Sequence, residues 1–341
     1  MNIQEHITIA PYTTFKIGGP ARFFCVVKNE DDLVEAVNFA KEKKLSILVI
    51  GGGSNLLISD AGFDGVIIKN EIMGRIYTDD GTLYSVVDAS AGEDWEDLVR
   101  ETVEKDLFGI ENLSAIPGKV GAAPVQNIGA YGAEVYKVIE SVRVLDTSSM
   151  QFVELSMVDC KFSYRDSIFK HEKGRYIITR VRFRLCKFGE VNIEYKDLKK
   201  YFAEKNIVNP SLREVRNAVV EIRKSKLPDW TMWGTAGSFF KNPIIEATQF
   251  AELKSRYPEL PGFVEGDGRV KVSLGYILDK ICDKKGFVMG NVGTFEKQAL
   301  VIVAKPGATA TQVISFAQEL MECVMENTGI KIEAEVEWVV V

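Results

Sequence analysis

LFGIENLSAIPGKVGAAPVQNIGAYGAEVYK, residues 107–137, breaks the rhythm of the chain around it. It holds Gly109, Gly118, Gly121, Gly129 and Gly132, the prolines Pro117 and Pro124, and many alanines. Glycine pays a large entropic cost inside a helix or strand and proline removes a donor, so no regular element fits this composition. A structureless stretch of this length in a compact domain is uncommon and is usually functional. Small side chains also let main-chain amides approach a bulky ligand closely. The rival is an irregular connection packed on the core; the glycine content favours the ligand.

Regular patterns lie on both sides. DDLVEAVNFAKEKK (31–44) spaces Leu33, Val34, Val37 and Phe39 as a helix would, with acids in its first turn. SILVI (46–50) is an apolar run of strand type feeding directly into GGGSN (51–55). GVIIKN (65–70) and LYSVVDASA (83–91) predict strands, and EDWEDLVRETVEKD (93–106) predicts an amphipathic helix. Beyond the glycine-rich stretch, VIESVRVLD (138–146) and RYIITRVRFRL (175–185) predict strands, and SLREVRNAVVEIRKSK (211–226) a helix that ends before Pro228. LGYILDKICDKKG (274–286) predicts a helix to Gly286, and TATQVISFAQELMECVMENTG (309–329) a long one closed by Gly329. The last segment, KIEAEVEWVVV, alternates Ile332, Ala334, Val336 and Trp338 against Lys331, Glu333, Glu335 and Glu337, as a half-buried strand does. Strand and helix patterns mixed in this way predict an α+β or α/β chain.

A length of 341 residues exceeds one ordinary core, so two or three domains are expected. Hydrophobic residues at 46% and charged residues at 26% suit a soluble globular protein. A net charge of −6 argues against a nucleic-acid surface, and the basic runs KEKK (41–44) and RKSK (223–226) have acids nearby. Five cysteines, an odd number without a CxxC, fit reduced cytosolic thiols better than disulfides or zinc. The two histidines, His6 and His171, have no ligand spacing, so no metal is expected. The N-terminus lacks the pattern of a signal peptide and no apolar run approaches membrane-spanning length, so the expectation is a cytoplasmic protein.

Two short stretches carry candidate chemistry. GGGSN can form a nest of main-chain N–H groups that holds a phosphate, yet it is neither a Walker loop nor GxGxxG. Gly51, Gly52, Gly53, Ser54 and Asn55 are therefore candidates for a pyrophosphate. WGTAGSFFKNP (233–243) sets Ser238 between Gly237 and two phenylalanines. A serine hydrolase would need a GxSxG elbow and a histidine partner, and neither is present. Taken alone, Ser238 reads as a turn residue.

Six stretches in order are more specific: YTTFKIGGPA (12–21), GGGSNLLISD (51–60), IPGKVGAAPVQNIGAYGAE (116–134), YRDSIFK (164–170), GTAGSFFKNP (234–243) and IEAEVEWV (332–339). Together they resemble the UDP-N-acetylenolpyruvoylglucosamine reductase (MurB-type) family over nearly the whole chain, in its longer variety. The resemblance implies an α+β chain with a two-subdomain FAD-binding fold of the vanillyl-alcohol-oxidase/PCMH type, followed by a smaller α/β substrate domain. It implies segments 1–70 (joined by the C-terminal strand 331–341), 71–225 and 226–330, as first FAD subdomain, second FAD subdomain and substrate domain. Non-covalent FAD would be wrapped by GGGSN and by Pro117, Gly118, Gly121, Ala122, Gln126, Asn127, Gly129, Ala130 and Tyr131.

The implied activity is NADPH-dependent reduction of UDP-N-acetylglucosamine enolpyruvate to UDP-N-acetylmuramate, in peptidoglycan precursor synthesis, by a monomer. Hydride delivery to the methylene carbon builds negative charge toward the substrate carboxylate, which a cation or an acid must stabilise before a proton reaches the neighbouring carbon. The resemblance gives the first role to Arg165 and Glu335 and the second to Ser238. It also assigns Tyr195 (in VNIEYKDL) as a substrate-capping tyrosine, and Lys226, Asn242, Lys285 and Gln298 to the nucleotide or diphosphate. By composition alone, Arg165 beside Asp166 is a surface ion pair, and periodicity does not choose among Glu333, Glu335 and Glu337. One departure is KLPDWTMWGTAGSFF, where Trp230 and Trp233 stand at positions expected to be smaller. The competing functions are a carbohydrate or alcohol oxidase on the same flavin scaffold and a flavin- or nucleotide-binding protein without catalysis.

Overall fold

The protein is described by a computed structural model over residues 1–79 and 81–339. Two compact units account for it: residues 1–7, 21–52 and 64–225 form the first, and 8–20, 53–63 and 226 onward form the second. The segment before residue 70 thus contributes to both.

In the first unit, a four-stranded sheet has the order Ile3–Thr8, Pro20–Val27, Phe63–Asn70, Ser46–Ile50. The predicted strands at 46–50 and 65–70 pair in parallel, Ser46 opposite Gly65 through Ile50 opposite Lys69. The helix Glu30–Glu42 leads from the strand Pro20–Val27 into the strand Ser46–Ile50. Its N-cap Asn29 accepts a hydrogen bond from Asp32 N, and Glu30, Asp31 and Asp32 sit at the positive end of the dipole. The face it buries is Leu33, Ala36, Val37 and Ala40, the i, i+3, i+4, i+7 stripe. Phe39, expected on that stripe, instead packs at its edge in T-shaped contact with Phe23.

The second sheet of this unit is antiparallel, in the order Gln151–Ser156, Ile139–Asp146, Tyr176–Cys186, Tyr84–Ser90, Arg75–Asp79. Three of these strands are the predicted ones; the two outer ones lack an alternating pattern long enough to read. Against the sheet packs the helix Trp95–Glu104, capped by Asp94, whose side chain accepts from Glu96 N and Asp97 N. Trp95, Leu98, Val99, Thr102 and Val103 are its buried face. The helices Lys196–Glu204 and Leu212–Lys226 share a separate apolar cluster of Leu198, Phe202, Val215, Ala218, Val219 and Ile222.

The second unit is built on the helix Ala310–Thr328, which has a capping box of Thr309 and Gln312 and ends on Gly329 at φ 68°. Asp60 adds a second cap: its carboxylate accepts from Ala310 N (2.7 Å) and Thr311 N (3.0 Å). Val313, Phe316, Ala317, Leu320 and Val324 face a core that also contains Phe239, Phe240, Leu278 and Ile302. Antiparallel strands Val288–Met289, Val292–Phe295 and Gln298–Ala304 form one small sheet, and Ile244–Ile245, Val270–Val272 and Gly262–Val264 another.

Two expectations fail here. The predicted helix 274–286 is one turn, Leu274–Tyr276, that widens into a π turn over Ile277–Ile281 and stops. Cys282 N bonds to Ile277 O (2.8 Å) and Asp283 takes φ 50°, so the helical path ends several residues before Gly286. The predicted terminal strand is paired only over Glu337–Val339, in parallel with Leu56–Ile58; residues 340 and 341 lie outside the described residues. Over 333–336 the chain is instead held by residues 239–241, and the alternation there records burial of Ile332 and Val336 rather than a ladder.

A charged fork ties the first unit's helix to its antiparallel sheet. Arg143 Nε donates to Glu30 Oε1 (2.8 Å), Nη2 to Oε2 (3.1 Å), and Thr179 Oγ1 also donates to Oε1 (2.9 Å). The Arg143 hydrogen bond foremost, and then Thr179, hold the Glu30 carboxyl below its ordinary range despite its burial. A depressed carboxylate contributes stability above its unfolded pKa and loses it as pH falls through the folded value. With side chains 34% and 28% exposed, solvent screening limits the effect. Glu30→Gln is expected to cost about 1 kcal/mol at pH 7, with the difference from wild type closing in acid. Urea unfolding at both pH values checks it.

Candidate functional site

Of the six motif stretches, 116–134 and 164–170 lie in the first unit, 234–243 and 332–339 in the second, and 12–21 and 51–60 are divided between the two. In the first unit the glycine-rich loop of 107–137 lies against the end of the strand Ser46–Ile50. A Cβ added to Gly51 would stand 3.0 Å from Lys119 Cβ, and one added to Gly52 would stand 3.1 Å from Gly118 Cα. Gly121 is tighter still, at 2.5 Å from Ala91 Cβ. The loop is pinned from below: Trp95 N donates to Gly118 O (3.1 Å), Val120 N to Glu93 O (2.9 Å) and Gly121 N to Ala91 O (2.9 Å). A cleft of about 550 Å³ lined by Lys28, Glu71, Met73, Gly92 and Lys119 opens beside it.

Further along the same loop, Asn127 and Tyr131 both take positive φ, at 44° and 49°. Asn127 is fully buried; its Nδ2 donates to Ser163 O (2.9 Å) and its Oδ1 accepts from Tyr136 N (3.2 Å). Asn127 therefore joins the loop to the YRDS turn. Arg165 sits in that turn at φ 55° and sends Nη2 to Gly129 O at 2.6 Å. Asp166, next to it, is engaged by His171 Nε2 at 2.7 Å. Pro117, Ala122, Gln126 and Ala130 line the same stretch between these anchors. Tyr195, at the N-cap of Lys196–Glu204, sets its ring 5.2 Å from that of Tyr131, edge to face. Burial pushes the Tyr131 hydroxyl up to about 12 and raises Tyr195 as well.

In the second unit, Gly53 turns at φ 61° with its carbonyl accepting from Thr14 N (3.1 Å). Thr14 Oγ1 donates to Thr235 O (2.6 Å) and Thr235 N to Thr14 O (3.1 Å), which ties the first motif to the GTAGS stretch. Ser238 lies half-buried opposite Val301, after Gly237 at φ 75°, and among the described residues its hydroxyl has no hydrogen bond. Phe239 and Phe240 are buried behind it. Phe239 O accepts from Glu335 N (2.8 Å), and Glu335 O accepts from Asn55 Nδ2 (3.1 Å). Ser238, Glu335, Ser54 and Asn55 are thus collected on three neighbouring strands of main chain. Glu333 is 73% exposed and salt-bridged to Lys241 (3.5 Å), which separates it from Glu335.

The remaining candidates have local tasks in the fold. Asn242 Oδ1 caps the turn at Leu274 N (3.0 Å), and Lys285 Nζ reaches Asp279 Oδ2 (2.6 Å). Gln298 opens its strand, its Oε1 accepting from Leu300 N (3.4 Å), and Lys226 is the last residue of its helix. Trp230 is 48% exposed on the turn 229–233, and Trp233 is half-buried there.

A bulky dinucleotide asks for main chain that it can touch without meeting a Cβ, and for a nest of amides. Gly51, Gly52 and Gly121 let the two small-residue stretches close on Lys119, Gly118 and Ala91, and a cleft of ligand size opens beside them at Lys119, so the residues present fit FAD. Residues 21–154 match the family model described as a FAD binding domain, which places the protein among flavin-nucleotide-binding proteins. Residues 229–339 match the model for the C-terminal domain of UDP-N-acetylenolpyruvoylglucosamine reductase. Among similar proteins, the UDP-N-acetylenolpyruvoylglucosamine reductase of Pseudomonas aeruginosa is 41% identical over 98% of both chains. The enzyme of that name from Neisseria gonorrhoeae is 42% identical over 98% of this chain and 97% of its own. The chain belongs to the UDP-N-acetylenolpyruvoylglucosamine reductase family. The crystal structure of the Thermus caldophilus protein of that name shares the fold, with a TM-score of 0.66 at 24% identity over 99% of each chain.

Sequence reasoning missed the buried polar residues beneath the loop. Glu111 accepts from Gly109 N (2.8 Å) while burial raises its carboxyl, and Asn112 Nδ2 donates to Tyr131 O (2.8 Å) and Asn192 O (2.9 Å). Asn112 Oδ1 is buried without a partner among the described residues. Arg223 Nε donates to Ala115 O (3.1 Å), and burial pushes its guanidinium below the usual range against the pull of Tyr131 and Glu96. The available signal was polar residues, ENLS, inside an otherwise small-residue stretch.

Gly53 allows a direct test. Its Cβ would fall 2.1 Å from Tyr12 O at a φ that L-residues rarely adopt. Gly53→Ala is expected to destabilise the second unit by about 3 kcal/mol, the range of strain combined with overpacking. A lowered thermal midpoint and loss of bound flavin on gel filtration are the measurements.

Proposed function

We infer that the protein reduces UDP-N-acetylglucosamine enolpyruvate to UDP-N-acetylmuramate with NADPH, as a step of peptidoglycan precursor synthesis in the cytoplasm. Family membership supports the reaction. The observation that carries the site is the meeting of Ser238, Glu335 and Asn55 through Phe239 O and Glu335 O. FAD, when bound, supplies the hydride that NADPH has delivered to it. The residues proposed to hold it are Gly51–Asn55 and the small residues from Pro117 to Tyr131. The three-segment division at 70, 225 and 330 is kept as the functional reading: two parts for the flavin, one for the UDP-sugar.

The protein's own residues have separable tasks. As the methylene carbon of the enolpyruvyl group gains hydride, electron density moves toward the carboxylate. Arg165, fixed by Gly129 O, offers a guanidinium to that carboxylate. Glu335 in its acid form offers a hydrogen bond to the same carboxylate. Ser238 Oγ then gives its proton to the adjacent carbon. Serine is a weak acid, but a carbon bearing enolate charge is a strong base, and a hydroxyl without a hydrogen bond among the described residues can turn toward it. Tyr195 would close over the sugar, and Lys226, Asn242, Lys285 and Gln298 would hold the nucleotide and diphosphate. Lys226 and Lys285 suit phosphate as point charges.

The purified protein is expected to be yellow and to consume NADPH only with the enolpyruvyl UDP-sugar present. Rapid NADPH oxidation with oxygen as sole acceptor would favour an oxidase instead, and protein that takes up no FAD would end the reading. Ser238→Ala should leave flavin reduction by NADPH within about twofold of wild type and slow flavin reoxidation by substrate by 10²-fold or more, the usual scale of a lost general acid. Stopped-flow absorbance of the two half-reactions separates them; equal slowing of both would remove Ser238 from the proton step.

A further inference from the structure

The glycine-rich loop has one residue in the left-handed region that is not glycine, asparagine or an aromatic: Ala115, at φ 57°. It immediately precedes the IPGKVG stretch. An alanine there is strained, because Cβ crowds the carbonyl, and it persists only where its surroundings over-determine it. Both of its main-chain polar atoms are held by side chains from the neighbouring helices. Ala115 N donates to Glu96 Oε2, and Ala115 O accepts from Arg223 Nε at 3.1 Å. Glu96 is in turn braced by Arg216 Nη2 on its other oxygen. Arg216 and Arg223 stand one above the other, seven residues apart on Leu212–Lys226, and Glu96 is in the first turn of Trp95–Glu104.

That first turn grips the loop on both sides of Ala115 as well. Trp95 Nε1 donates to Leu113 O (2.9 Å) and Trp95 N to Gly118 O (3.1 Å). The helix start thus meets residues 113, 115 and 118 in succession, with Glu96 supplying the charged contact. Glu96 and Arg216 are 30% and 16% exposed, so their charges are poorly screened and the pair is stiff.

We propose that Glu96 is a positioning residue of the flavin site: braced by Arg216, it holds the Ala115 peptide in the left-handed conformation and so aims the main chain of 116–121 at the diphosphate of FAD. This rests on the reading of 116–121 as part of the FAD cradle. Removing the carboxylate frees Ala115 to return to the extended region, which turns the following residues away. A glycine at 115 would pay no such strain, so it should hold the turn without the clamp.

The test is FAD affinity of the deflavinated protein, read by quenching of flavin fluorescence, with the thermal midpoint of the apoprotein alongside. Glu96→Ala is expected to weaken FAD at least tenfold, and Glu96→Gln, which keeps an acceptor for Ala115 N, by less. Ala115→Gly added to Glu96→Ala should return the affinity to within about threefold of wild type. Arg216→Met should weaken FAD in the same direction, and combined with Glu96→Gln the two losses should be less than additive. Wild-type affinity in Glu96→Ala would overturn the proposal, as would a loss that Ala115→Gly leaves unchanged. Should Glu96→Ala fail to fold, the same comparison is made on Glu96→Gln with and without Ala115→Gly. Wild-type apoprotein that binds no FAD would overturn the flavin reading itself, a result distinct from either.

Discussion

At Gly53 the chain turns through a conformation that only a residue without Cβ can occupy in that space. A methyl group would be driven to 2.1 Å from the carbonyl oxygen of Tyr12. Because the turn is allowed, Gly53 O can accept from Thr14 N, and Thr14 can exchange hydrogen bonds with Thr235 at the head of the GTAGS stretch. From there Phe239 O reaches Glu335 N, and Glu335 O returns to Asn55 Nδ2, two residues beyond the turn. The loop of contacts closes on itself, and a bulkier residue at 53 would break it at the start.

Most of these links are made by main chain. That choice has a physical consequence: backbone hydrogen bonds fix the positions of Cα atoms without depending on side-chain groups, so the places of Ser238 and Glu335 are set by main chain. Phe239 and Phe240, packed edge to face at 5.1 Å, supply the apolar wall that keeps the segment from drifting. The first unit uses the same device on a larger scale. Its glycine-rich loop is pinned by Trp95, Glu93 and Ala91 from one side and by Asn112, Asn127 and Arg165 from the other, leaving small residues between the anchors.

The sequence was most legible where a period was backed by a cap. The helices 30–42, 95–104 and 310–328 each combine an apolar stripe with Asn, Asp or Thr at the N-cap, and the structure shifts their ends by only a few residues. The strands at 46–50, 139–146 and 176–186 were readable from β-branched runs. Failures came where a tertiary contact overrode a local pattern. LGYILDKICDKKG has a helix-like apolar spacing, yet its backbone widens to i→i+5 bonding as Leu278, Ile277 and Cys282 pack into the second unit's core. KIEAEVEWV alternates strictly, yet among the described residues it forms a ladder at 56–58 and otherwise a single bridge from Ala334 to Phe240.

The sequence by itself determined the class of protein and the glycine positions on which its turns depend. Absence of a side chain is a local property, and the order of six short stretches is written in the chain. It did not determine which polar residue does what, because that depends on neighbours far away in sequence. Glu335 parts from Glu333 only when Glu333 pairs with Lys241 and the Glu335 backbone joins Phe239 and Asn55. Glu96, Arg216 and Arg223 carry no motif, and only folding brings them to the two ends of the Ala115 peptide, since hydrogen bonds act over about 3 Å and no pattern in one dimension encodes that distance.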